Sequence, residues 1–231
     1  MSASAPPGAP DPSTEAGRAA LIRGWTAVER APLVPEIALH LATEVTPLWE
    51  ATEATLARTG LPPPYWAFAW AGGQALARHL LDRPEIAAGR RVLDLAAGGG
   101  IAAIAAARAG AAAVTASEID AFALTALRLN ATLNGVRVET VAADLTAPDA
   151  PIVPADLLLA GDVCYEKPMA DRVLAFLRAR AAAGATVLIA DPGRAYLPAS
   201  GLEPLAAFDV PVPTDIEDRP VRRTTVYRLL A

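Results

Sequence analysis

What this chain has little of narrows it first. One cysteine, Cys164, in 231 residues leaves no internal disulfide and no thiolate cluster for a metal, so a reducing, cytoplasmic setting is expected. Histidine is nearly as scarce: His40 and His79 stand apart in the chain, and neither is assigned chemistry. Lys167 is the one lysine, a bias that fits a GC-rich genome better than a function. With 20 basic against 25 acidic side chains the net charge is -5 and the pI about 5.1. No run of like charge is long enough for a polyanion-binding tail, which disfavours extended nucleic-acid binding and leaves a basic protein partner suitable. Long apolar runs are lacking too. The positive mean hydropathy, +0.32, comes from alanine, and Asp94, the glycines and Arg108 interrupt the longest stretch, so no membrane span is expected. The opening "MSASAPPGAPDPSTEAGR" has neither a basic n-region nor an apolar h-region. Residues 1 to 16 are expected to be a disordered tail rather than a secretion signal, and Glu15 and Glu29 among the arginines argue against a transit peptide.

The length suits one well-buried domain, 17 to 231, with an N-terminal extension, and a monomer is expected. Leu21, Ile22, Trp25 and Val28 fall on one helical face, which predicts an amphipathic helix over 17 to 30. Ile37, Leu39 and Leu41 alternate as in a strand, though residues 35 to 45 stay open at this point. Thr46-Pro47, then Leu48, Trp49, Thr52 and Leu56, then Gly60 supply cap, first-turn proline and terminal glycine in the order of a helix. "GLPPPYWAFAWAGG" reads as a rigid aromatic loop feeding a helix at 73 to 82. From Arg91 onward strands are predicted at 91 to 95, 113 to 118, 137 to 142, 156 to 161 and 185 to 190. Helices are predicted at 100 to 109, 120 to 133 and 168 to 183, with Gly110 and Gly184 as terminators. That alternation gives crossover units on a parallel sheet, a Rossmann-like α/β fold. Phe208 to Val212 and Arg222 to Leu230, with no helix between them, predict an antiparallel pair closing one sheet edge.

The stretch "VLDLAAGGGI" carries the chemistry. Ligands of open parallel sheets bind at the carboxyl ends of the strands where the strand order reverses. A dinucleotide fingerprint would place G-x-G-x-x-G there to meet a pyrophosphate; here the pattern is D-x-A-x-G-x-G, from Asp94 to Gly100. A carboxylate repels a pyrophosphate and attracts an ammonium or a sulfonium, by kcal/mol rather than tenths once water is partly excluded. S-adenosylmethionine carries both cations and no phosphate, so it is the ligand expected. Glu118, at the end of the next strand, can accept from two ribose hydroxyls, with Asp120 a weaker candidate that also reads as a helix cap. Asp144 follows the third strand and can accept from an adenine amino group. The competing reading makes Asp94 and Asp144 turn residues and the glycines packing devices.

Five segments, "PYWAFAWAGGQALARHLLD", "VLDLAAGGG", "SEIDAFALTALRLNATLNG", "LLLAGDVCYE" and "DPGR", together resemble the seven-strand lysine methyltransferases that modify the β subunit of electron transfer flavoprotein. The likeness runs from about 33 to 231. D-x-A-x-G-x-G alone is common to many methyltransferases, whereas the Trp-rich segment, D-x-x-Y and D-P-G-R in combination are far more specific. The resemblance implies a class I methyltransferase with a mostly parallel seven-stranded sheet, in which Asp94, Gly98 and Gly100 contact the methionine part of S-adenosylmethionine, Glu118 its ribose and Asp144 its adenine region. It implies that Trp70, with Gly72 and Gly73, closes over the cofactor. Asp162 and Tyr165 would face the target lysine, Asp162 also beside the cofactor. Three departures stand out: Ala96 replaces the usual first glycine of the loop, Glu118 stands where aspartate is more usual, and Cys164 replaces an aromatic residue, where it would alter the width of a lysine channel.

Methyl transfer from a sulfonium is a direct displacement that needs a neutral amine in line, so alignment is the protein's main contribution. Desolvation in an aromatic channel favours the neutral lysine. Asp162 would orient the incoming ammonium and Tyr165 shape the channel; whether Asp162 or solvent takes the proton is open. Trp66 and Trp70, four residues apart, also read as one apolar helix face, and Asp191 to Arg194 also reads as a plain turn. A ribosomal protein of the L11 or L7/L12 type, a small-molecule amine, or cofactor binding without catalysis are the alternative functions, because one scaffold serves all of them.

Overall fold

The computed structural model describes residues 10–44, 46, 48, 63–213 and 219–230. Helix α1 (Glu15–Trp25) leads into a hairpin of β1 (Ala27–Ala31) and β2 (Val34–Leu41); α2 (Ala71–Asp82) then precedes the main alternation. That alternation runs β3 (Arg91–Leu95), α3 (Ile101–Arg108), β4 (Ala113–Glu118), α4 (Ala121–Leu133), β5 (Glu139–Ala142), β6 (Leu157–Gly161), α5 (Lys167–Ala182) and β7 (Thr186–Asp191), closed by β8 (Leu202–Pro211) and β9 (Val221–Leu229). The seven-stranded order is β5-β4-β3-β6-β7-β9-β8, parallel except where β9 pairs with β7 and β8. Strand order reverses at β3, between β4 and β6. The fold is the α/β arrangement read from the sequence, and the antiparallel C-terminal pair is present, with β8 beginning at Leu202, six residues before the predicted run.

Burial explains the sheet. β3 and β6 are buried at nearly every position because both of their faces are covered. Along β6, Leu157 and Leu159 pack with α2 and α3, while Leu158 and Ala160 pack with α5. The alanines of α3 let it lie close against α2. At the far edge β8 carries Pro204 and Pro211, and its register with β9 shifts between Pro204 and Ala206.

The N-terminal region departs from the prediction of one helix over 17 to 30. Thr14 caps α1 by accepting from Gly17 N–H, the helix ends at Trp25, and Val28 lies on β1 opposite His40, 52% exposed. Thr26 and Val28 are β-branched and pair more readily than they extend a helix past Gly24. Residues 34 to 41 form the strand that the alternation suggested, with Val34, Ile37 and Leu39 buried. Apart from Thr46 and Leu48, the predicted helix from Thr46 to Gly60 lies outside the described residues.

Helix α2 starts at Ala71, and its first turn lands on the end of β6. A Cβ on Gly72 would lie 2.5 Å from Ala190 O and 2.6 Å from Asp162 Oδ2, and one on Gly161 would lie 2.9 Å from Gly73 N. A side chain there must push backbone aside, unlike at Gly24 in α1, where nothing lies within 4 Å. Gly72→Ala is therefore expected to destabilise the fold by about 2–3 kcal/mol and Gly24→Ala to be neutral or stabilising by up to about 1 kcal/mol, as read from denaturant midpoints.

Candidate active site

A cavity of about 650 Å³ opens at the carboxyl ends of β3, β4 and β6. Ala96, Gly98, Glu118, Asp120, Asp144, Asp162, Tyr165, Trp66, Trp70 and Arg194 are among its lining residues. Among the described residues only Ala96 (φ 54°) and Asp162 (φ 55°) are non-glycines in the left-handed region. They follow the last residues of β3 and β6, on the two sides of the strand reversal. Each costs about 1 kcal/mol of backbone strain, which the surroundings hold in place.

The loop after β3 is fastened from three sides. Asp94 is 2% exposed and its Oδ2 accepts from Ala103 N–H at 2.9 Å, capping the first turn of α3 from the neighbouring strand. Glu118 Oε1 accepts from Gly98 N–H at 2.8 Å, and Oε2 accepts from Ile119 N–H at 3.0 Å. Gly100 (φ 81°) begins α3, where a Cβ would strike Leu127. Asp94 thus sits behind the loop and is not part of the cavity wall; its reach into the site is through its field. Gly73 and Gly100 are likewise outside the wall, and Gly73 acts through Asp162.

Burial pushes the Asp94 carboxyl up to about 7, against the Ala103 hydrogen bond, and the Glu118 charge adds to the rise. Burial also raises Glu118, against the amides of Gly98, Ile119 and Asp120. Asp162 is raised to about 6 by burial, with Arg194 opposing, Asp191 adding, and the Gly73 and Gly72 amides opposing. A cation placed among these carboxylates lowers all three, and an anion raises them further. The donor set accordingly fits a positively charged ligand and does not fit a pyrophosphate. Asp144 differs: its Oδ1 accepts from Thr146 N–H at 2.9 Å and Oγ1 at 2.6 Å, and the Thr146 hydroxyl holds its carboxyl below the usual range. It is a turn residue and a wall residue at once. Asp120 caps α4 through Phe122 N–H at 2.8 Å, as expected, and also lines the cavity.

Asp162 is gripped at the mouth. Its Oδ2 accepts from Gly73 N–H at 3.1 Å at the start of α2, its Oδ1 lies 3.4 Å from Arg194 Nη2, and its own N–H donates to Ala190 O. Arg194 stands over the Trp70 ring, 5.8 Å from its centroid. Its loop is tied down by Asp191 Oδ1, which accepts from the N–H groups of Gly193 and Arg194. D-P-G-R is therefore a turn, and the turn delivers a cation to the site. Tyr65 lies 6.2 Å from both Trp70 and Tyr165, centroid to centroid, so three rings surround the entrance. Sequence reading overlooked Tyr65, whose one signal was its place in the Trp-rich segment. Trp66 and Trp70 divide the two roles weighed for them: Trp66, 3% exposed, stacks on Phe122, while Trp70 faces the mouth. Cys164 is fully buried in the core beneath α5, outside the cavity wall, and burial pushes its thiol up to about 12. It therefore sets no channel width.

The chain matches a family model described as ribosomal protein L11 methyltransferase (PrmA) over residues 75–179. It is 37% identical over 205 residues to the electron transfer flavoprotein β-subunit lysine methyltransferase of Xenopus laevis, covering 85% of this chain and 80% of the relative. The protein of the same name from Danio rerio is 37% identical over 202 residues, covering 85% and 76%. Among solved structures, the Thermus thermophilus 16S rRNA N2 G1207 methyltransferase with AdoMet and guanosine superposes with a TM-score of 0.51 at 19% identity, covering 70% of this chain and 43% of that one. That likeness is one of fold.

Because an acid raised by folding is stabilised in its protonated form, Asp94 should cost the free protein stability as pH rises from about 4 through 7. Asp94→Asn keeps an acceptor for Ala103 N–H and has no such titration. Its melting temperature is expected to exceed the wild type's at pH 8, with the gap closing toward pH 5; a gap independent of pH would contradict the assignment.

Proposed function

Since the chain belongs to the electron transfer flavoprotein β-subunit lysine methyltransferase family, we propose that it transfers the methyl group of S-adenosylmethionine to a lysine amine of that flavoprotein subunit. The observation that carries this reading is the pairing of a cation-fitted cavity with a ring of three aromatic side chains at its entrance, and Asp162 between them. Ala96, Gly98 and Glu118 would hold the donor from the β3 and β4 ends, Asp144 would meet its adenine, Trp70 would cover it, and Asp94 would favour its positive end from behind the loop. When bound, the donor supplies an electrophilic methyl group on a sulfonium.

The chain's own groups prepare the acceptor. Glu166, Asp120 and Asp162 give the cavity and its entrance carboxylates that draw in an ammonium. Asp162 orients it, and the rings of Tyr65, Trp70 and Tyr165 strip its water, which favours the neutral amine required for displacement. With Cys164 out of the wall, Tyr165 rather than the thiol shapes the channel. We read the enzyme as a cytoplasmic monomer that acts on a protein and on neither nucleic acid nor membrane. Supporting this are the net charge of -5, the lone buried thiol, and the finding that no helix among the described residues is long and apolar enough to cross a membrane.

The match to the ribosomal protein L11 methyltransferase model favours one second reading, a ribosomal acceptor. Labelled S-adenosylmethionine offered with the flavoprotein β subunit, and separately with ribosomes, separates the two. Lysine label mapped to the β subunit is the expected outcome; label on ribosomal protein alone supports the second reading, and no protein label rejects both. In the same assay Asp162→Asn should lower kcat/KM about 100-fold or more while cofactor affinity falls about fivefold at most.

A further inference from the structure

The N-terminal hairpin and the glycine loop share one side chain. Asn130 in α4 is fully buried; its Oδ1 accepts from His40 N–H in β2 at 2.8 Å, and its Nδ2 donates to Gly99 O at 2.8 Å. One end of the amide must be oxygen and the other nitrogen, because its partners are a backbone donor and a backbone carbonyl. One turn later, Asn134 holds the same strand: Oδ1 accepts from Ala38 N–H at 3.1 Å and Nδ2 donates to Ala38 O at 2.7 Å. Two residues of strand rise by about 6.8 Å and four residues of helix by about 6 Å, so the two amides match Ala38 and His40 in step. The next position along that edge, Ala42, donates to Ala67 O at 2.9 Å, beside Trp66. Gly99 in turn is pressed between Trp66 and α4: a Cβ on it would lie 2.8 Å from Trp66 O and 3.4 Å from Asn130 Nδ2.

We propose that Asn130 is a positioning residue for the donor-binding loop, coupling the occupancy of that loop to the order of the β1–β2 hairpin. The inference rests on the reading that residues 96 to 100 hold S-adenosylmethionine. Asn134 provides the contrast, since it clamps β2 through two hydrogen bonds and does not reach the loop. Loss of the Asn130 amide leaves the part-buried Gly99 carbonyl without this partner, so the loop loses the tie that holds Gly99 in its binding conformation. By linkage, a ligand that fixes the loop also tightens the hairpin.

The full-length protein can be titrated with S-adenosylhomocysteine by calorimetry, alongside thermal melts. Asn134→Ala should lower the melting temperature and change Kd by no more than about twofold, whereas Asn130→Ala should lower the melting temperature comparably and weaken Kd about tenfold or more. Hydrogen exchange on the wild type alone gives a readout independent of any variant. Saturation with the same ligand should slow exchange at His40 and Ala42. Equal Kd losses for Asn130→Ala and Asn134→Ala, or ligand-insensitive exchange at His40, would each overturn the coupling. A folded wild type that binds no S-adenosylhomocysteine would overturn the donor reading itself, a different outcome from normal binding that is indifferent to Asn130.

Discussion

A carboxylate buried in the middle of a parallel sheet is the constraint on which the site depends. Asp94 lies on the central strand, away from solvent, with the third amide of α3 as its hydrogen-bond partner. That bond sets where α3 begins, which in turn sets the path of the loop between them and the left-handed turns at Ala96, Gly98 and Gly100. Without a compensating cation the arrangement is expensive, because a buried charge prefers to neutralise itself. The carboxyl's elevated proton affinity records that expense. A fold seldom keeps such a residue for stability alone, and a positively charged ligand in front of the loop gives the charge a use.

The second half of the site follows from how tightly α2 meets β6. Glycines at 72, 73 and 161 bring a helix start against a strand end, and the backbone amides at that start grip Asp162. Arg194, fixed by the turn after β7, approaches the same carboxylate from the other side and stands over Trp70. Position, charge and aromatic cover are thus determined together by three segments remote in sequence. Asp162 can face the entrance in a strained conformation because its N–H and both carboxylate oxygens are held.

Much of this was legible from residues alone, for physical reasons. Strands β3, β4 and β6 are short apolar runs bounded by glycine and acid, and helices α3, α4 and α5 are long enough for their period to show, so their limits fall within a residue or two of expectation. The site residues at strand ends were readable because topology sends those ends to one place. The N-terminal stretch was misread past Trp25 because Val28 continues a helical spacing by coincidence; only β2, held by Asn130 and Asn134, makes it a strand. Those asparagines looked like ordinary polar positions on α4, since a side chain that completes a distant backbone edge leaves no local pattern. Cys164 was placed in the channel by family likeness, but the alternation after β6 turns its side chain inward, and Tyr165, the next residue, faces the entrance.

The outer strand of the sheet has a further consequence. β8 is the final strand of the order, yet Pro204 and Pro211 remove amide donors from it and the irregularity at 204 to 206 spoils its regular repeat. The opposite margin, β5, is four residues long. A neighbouring molecule therefore finds little straight backbone on which to polymerise, and selectivity for partners is left to the acidic, aromatic-rimmed opening at the strand tips.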